Sequence, residues 1–122
     1  MQARDFAPGE RERVEKYLLL DEEHLYSLIP PYLSEYDGTV FSPEGQEEAG
    51  RTWFAAMRPR LEQKVCIEWQ ICERIDDPDF EDAAKVVVVL GDALTTVVAG
   101  VPPVLVSSII VRIGLRRFCN CP

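Results

Sequence analysis

The chain has 122 residues, of which 47% are hydrophobic and 28% charged, with a formal net charge of −8. That length holds one domain, residues 1–122, leaving no room for a second, and the composition is that of a folded chain rather than a disordered one. The acidic balance excludes the basic footprint by which proteins grip phosphate backbones, so no nucleic acid is expected as a partner.

A first helix is predicted from near Pro8, a proline suited to an opening turn, with Val14, Tyr17 and Leu18 on its apolar side. Asp21 reads as the N-cap of a second helix carrying Leu25, Leu28 and Ile29. Pro30-Pro31 must stop or bend that helix, because neither proline can donate a backbone hydrogen bond. Tyr32, Leu33 and Tyr36 add a further turn before Asp37-Gly38 opens a loop. Ser42-Pro43-Glu44 combines a capping hydroxyl, a first-turn proline and an acid at the positive end of a helix dipole. The helix it starts has Ala49, Trp53, Ala56 and Arg60 along one ridge and Gly50, Phe54, Met57 and Leu61 along the next. Pro59 must kink this helix or begin another, in which Leu61, Val65, Trp69, Cys72 and Ile75 recur at helical spacing.

Asp77-Pro78-Asp79 repeats the start pattern, and Ala83, Val86, Val87, Leu90, Leu94, Val97 and Val98 trace a broad apolar stripe. Val88, Val89 and Ala93 add apolar surface outside it, which marks this helix as central. Gly100 fits its end and Pro102-Pro103 a fresh start, after which Leu105, Val106, Ile109, Ile110 and Ile113 continue to Arg116 and Arg117. Residues 1–85 hold 20 acids against 10 bases, whereas residues 86–122 hold Asp92 against three arginines. An acidic amphipathic shell around an apolar C-terminal helix pair accounts for that contrast. Two rivals remain for the C-terminal third. Residues 93–111 carry no charge over a length that can cross a bilayer, but Gly100-Val101-Pro102-Pro103 cuts them in half, so a membrane span is the weaker reading. Val86–Leu90 is β-branched enough for a buried strand, but its helical pattern persists through Val98.

Chemistry-bearing residues are few. The single histidine, His24, sits beside Glu22 and Glu23 in a first helical turn, with no activated nucleophile in sequence reach. The acids Asp76, Asp77, Asp79, Glu81 and Asp82 lack the glycine and spacing of a calcium loop and suit a helix start instead. Asp92, if buried, needs a partner, and Arg112 is the candidate; an exposed edge is the alternative. Cys66, Cys72, Cys119 and Cys121 could hold zinc only if the C-terminus folds back on the helix bearing the first two. Residues 1–16 contain eight charged side chains and no apolar run, so no secretory segment is read there. The thiols are therefore expected to be reduced and apolar in role, and the compartment cytoplasmic. No catalytic residue, cofactor or metal ligand is assigned.

Asp92-Ala93-Leu94, the Pro102-Pro103 break and Ile113-Gly114-Leu115 together resemble small uncharacterised bacterial helical proteins that accompany conflict or antiviral genes. The likeness implies an accessory or adaptor subunit, and it transfers no functional residue. The resulting expectation is an all-α, compact orthogonal bundle of about five or six helices. It works without enzymatic activity, as a protein-interaction module, adaptor or regulatory subunit. Its partner is another protein or a second copy of itself. Tyr32, Tyr36, Trp53, Trp69 and Phe118 are the expected anchors, since aromatics exceed what a small core needs and are favoured at interfaces. The alternatives are a small toxin or enzyme with a dispersed site, and a membrane-active effector using residues 86–111.

Overall fold

The structure, a computed structural model, describes residues 5–33, 43–98 and 100–122. Seven α-helices lie among the described residues, in a compact all-α bundle: α1 (Glu10–Leu18), α2 (Glu22–Ser27), α3 (Pro43–Glu62), α4 (Ile71–Arg74), α5 (Ala83–Leu94), α6 (Pro103–Ile113) and α7 (Leu115–Cys119). Single 3-10 turns occupy Pro30–Tyr32 and Pro78–Phe80, and a π-helical turn occupies Gln63–Glu68. No strand occurs among the described residues, so Val86–Leu90 belongs to α5.

The centre is the α5–α6 pair. From Val86 to Gly91 every residue of α5 is buried, and so is every residue of α6 from Leu105 to Ile110. Burial on all sides needs close helix approach and satisfied polar groups. Gly91 supplies the approach, since a Cβ there would lie 3.2 Å from Val104 Cγ1. Ser107 and Ser108, fully buried, donate their hydroxyls to the carbonyl oxygens of Val87 and Val104, both at 2.7 Å. Asp82, rather than the Asp77-Pro78 pair, caps α5, its carboxylate accepting from the Ala84 N–H at 3.0 Å. Asp77-Pro78 makes only the 3-10 turn. Burial tends to raise the Asp82 pKa, but Arg11, by hydrogen bond and charge, and the N–H groups of Lys85 and Ala84 hold it below the usual carboxylate value. Through Arg11 the same carboxylate ties α1 to α5, where Val14 packs with Ala84, Val87 and Val88.

The acidic helices pack outside this pair. Asp21 caps α2, accepting from the His24 N–H at 2.9 Å, and Leu25, Tyr26 and Ile29 go inward while Leu28 stays exposed. Helix α3 meets α2 at Gly50, where an added Cβ would lie 1.9 Å from the Tyr26 carbonyl oxygen; only a residue without a side chain fits that crossing. Pro59 neither breaks nor ends α3, which runs on to Glu62. The irregularity comes later, in the π turn, where the Trp69 N–H donates to the Lys64 carbonyl five residues back. That turn and the left-handed Gln70 (φ 53) shift the helical phase. Leu61 and Val65 are therefore followed inward by Ile71, while Cys72 and Ile75 are only half-buried.

The last segment departs from expectation most. A continuous helix to Arg117 is replaced by a turn at Gly114 (φ 101) and a separate α7, folded back on α4. Cys119 and Cys121 are thereby brought to Cys66 and Cys72, and the four form two disulfides, Cys66–Cys119 and Cys72–Cys121. This corrects the expectation of four reduced thiols and removes its support for a cytoplasmic setting. The physical reason is the reversal at Gly114, which no spacing of cysteines reveals. The first bond spans 53 residues, for which loop-closure entropy gives roughly 4 kcal/mol; the second, closing ends already held together, adds much less. Among the described residues, no helix is long and apolar enough to cross a membrane.

Candidate functional site

Small residues on one side of α3 leave a depression. Gly45, Ala49 and Ala56 lie along the same face as Glu48, Thr52 and Trp53, at spacings of three and four residues. Leu33, extended after the Pro30–Tyr32 turn, closes one side, and Trp53 forms the apolar floor, half-buried against the main core. Tyr32, the residue before Leu33, is 47% exposed. Tyr17, packed on the main core, has its pKa raised by burial and then by the charge interaction with Tyr32. Glu48 brings negative charge into the groove. The groove thus offers apolar contact with an acid at its edge, chemistry suited to an apolar side chain flanked by Lys or Arg.

The expected aromatic anchors separate. Trp53 lines the groove, Tyr32 is next in the chain to its Leu33 wall without lining it, and Tyr36 lies outside the described residues. Trp69 ends the π turn, half-buried at the disulfide end of the molecule, its carbonyl accepting from Arg74 Nε at 2.9 Å. Phe118 corrects the anchor reading: it is 2% exposed, edge-on to Phe54 with ring centroids 6.3 Å apart and capped by the Arg58 guanidinium at 4.8 Å. It is core, because the turn at Gly114 aims α7 inward. From sequence, Ala49 and Ala56 entered only as ridge positions beside Trp53 and Leu33 only as part of a turn, while Gly45 and Glu48 were not singled out.

A second depression, between α2 and the start of α3, is lined by Glu23, His24, Ser27, Glu44, Gln46 and Glu47. Asp21, His24 and Ser27 have the residue types of a hydrolytic triad, and His24 Nδ1 lies 2.6 Å from Asp21 Oδ1. The Ser27 hydroxyl, however, donates to the His24 main-chain carbonyl at 2.6 Å, which is a local helix contact and not one that activates it toward a substrate. The His24 N–H, then its ring, hold the Asp21 pKa below the ordinary value, as expected of a capping carboxylate. Asp92 and Arg112 both lie on exposed positions, and Asp76 pairs with Arg116 at 2.7 Å. Among the described residues no group of three or more His, Cys, Asp or Glu side chains is arranged to hold a metal ion. No protein-family model, curated protein or solved structure matches this chain.

Proposed function

We propose that the protein is a non-enzymatic interaction module, an adaptor or regulatory subunit, that seats a basic amphipathic segment of a protein partner in the Leu33–Trp53 groove. The observation that carries this reading is the groove itself: a half-buried tryptophan under small residues, with Glu48 in its wall. Trp53 and Leu33 provide the apolar area that gives most of the affinity, while the acidic surface of a chain with net charge −8 speeds encounter with a basic partner. The likeness to helical proteins beside conflict genes favours a bacterial assembly in antiviral defence. The two disulfides suit an oxidising setting better than a reducing cytoplasm, so the cytoplasmic expectation is not carried into this reading.

The test uses a photo-crosslinking residue at Thr52, inside the groove, with one at Arg117, on α7, as control. The expected product is a partner crosslinked from position 52 through a Lys- or Arg-rich helical peptide, lost in Trp53→Ala and weakened in Glu48→Lys. A crosslink to a second copy of this chain would replace the heterologous partner with self-association. Partner capture undiminished by both substitutions would refute the groove.

A further inference from the structure

Both disulfides fasten one short tail to one short segment. Cys119 and Cys121 come from α7 and its end; Cys66 and Cys72 flank the point where the π turn and left-handed Gln70 interrupt the helix. Besides these bonds, residues 115–122 are held by the packing of Leu115, Phe118 and Cys119 on the main core and by two arginine contacts. Phe118 is the buried side chain of α7, resting on Phe54, and Arg58 Nη2 donates to its carbonyl at 3.4 Å. Arg116 reaches Asp76 in an exposed pair, a contact of small worth. Gly114, between α6 and α7, takes φ 101, a conformation that L side chains rarely adopt, and a Cβ built there would meet Arg117 Cβ at 4.0 Å, an ordinary contact. All four cysteines are half-buried, and none belongs to the fully buried core.

We propose that the two disulfides are a thiol-exchange latch: a dithiol reductant opens them and α7 swings out about Gly114, uncovering the apolar face of Phe54 and Phe118. The Cys72–Cys121 bond is the first target, because Cys121 is the one cysteine of the four that does not pack on the main core. A reductant thiolate attacks one sulfur of a bond, forming a mixed disulfide and expelling the other cysteine as a thiolate, which takes up a proton. The second reductant thiol, deprotonated, then attacks the mixed disulfide. It leaves the second protein cysteine free and the reductant as a cyclic disulfide, with two electrons passed per bond. The same exchange with an oxidised dithiol runs backwards and closes the latch. The latch is independent of the α3 groove, which Trp53→Ala disables without touching a cysteine.

The test is amide hydrogen exchange on the full chain, oxidised and after dithiothreitol, with alkylation counting free thiols. The oxidised protein should alkylate at no cysteine and the reduced one at four. Reduction should speed exchange at residues 115–119 by at least about tenfold while α5 and α6 keep their protection, and should raise binding of an apolar dye. Cys72→Ser/Cys121→Ser should keep α7 protected until its remaining bond is reduced, and replacing all four cysteines by serine should leave α7 open under either condition. Unchanged protection at 115–119 after reduction would overturn the latch. So would loss of protection spreading equally through α5 and α6, which would make the bonds staples of the whole fold. Reduced protein that keeps α7 docked by taking up added zinc through its thiolates would also overturn it.

Discussion

Replacing Gly50 by alanine sets two effects of opposite sign against each other. On an isolated helix the change is favourable by about 1 kcal/mol, because glycine has more backbone freedom to lose. In this bundle the new methyl would stand 1.9 Å from the Tyr26 carbonyl oxygen and 2.6 Å from its carbon. Both are main-chain atoms of α2, so no rotamer change relieves the clash. Restoring ordinary contact near 3.5 Å requires α2 and α3 to part by roughly 1.5 Å. That movement opens the packing of Leu25, Tyr26 and Ile29 against Phe54, whose ring meets Tyr26 at 5.6 Å. Overpacking of this kind costs about 3 kcal/mol or more, so the net loss is about 2 to 3 kcal/mol after the helix gain is subtracted. For a domain of this size that lowers the melting temperature by about 10 °C, read by circular dichroism at 222 nm. Gly91→Ala is the control, because its new methyl meets a side-chain atom, Val104 Cγ1, at 3.2 Å and the valine can give way. Its effect should be well under half as large. A Gly50→Ala protein as stable as the parent, or more so, would refute the α2–α3 crossing described above.

Three further outcomes are expected. Ser107→Ala leaves the Val87 carbonyl without its side-chain donor in the centre of the bundle and should cost about 1 kcal/mol in urea unfolding, whereas Ser108→Ala, which gives up a contact within its own helix, should cost less. The Tyr26 phenol is pushed up to about 12 by burial and by its hydrogen bond to Glu22. Its raised folded pKa makes a stabilising contribution that is complete below pH 10 and is lost as pH rises through about 12, so Tyr26→Phe should flatten stability against pH in that alkaline window. Asp82→Ala removes the α5 cap and should cost about 1 kcal/mol near neutral pH. Because the Asp82 pKa is lowered, the difference between parent and variant is present above the ordinary aspartate range and shrinks as pH falls through its folded value, which urea titrations at pH 7 and pH 3 would show.

Local rules read most of the bundle and failed where the chain changes direction. Asp21 capping α2 and Pro103 opening α6 were legible because caps and first-turn prolines are decided by near neighbours. The run Val86–Leu90 was legible as the buried centre of a helix for the same reason that it is one: apolar all round, it leaves no face for water, while Ala83 and Asp92 near the helix ends stay exposed. At Trp69 and Gln70 the spacing continued on paper while the backbone inserted a π turn, so the inward residue became Ile71 and not Cys72. Neither Gln63–Glu68 nor Gln70 has a composition that announces this. Phe118 and the four cysteines were misjudged together, since one reversal at Gly114 decides the surroundings of all five. Of the groove, Trp53 was legible as an anchor aromatic; the hollow between helix and turn depends on where Leu33 falls after Pro30-Pro31, a tertiary matter.

The order of burial along the chain has a consequence for synthesis. The two central helices, on which α1 and α2 pack, span Ala83 to Ile113, and the residues that fasten the tail, Phe118, Cys119 and Cys121, follow them. A growing polypeptide therefore displays α1 to α4 before the surface they cover exists. During that interval their excess of carboxylates keeps neighbouring nascent chains apart by mutual repulsion. The β-branched run Val86–Val89, the segment most prone to pair with a copy of itself, emerges when α1, whose Val14 packs with Val87 and Val88, has already been made. Acid first and valine last is thus an order of manufacture that protects the hazardous segment, and a permuted chain beginning at α5 would fold to the same bundle while aggregating more readily as it is made.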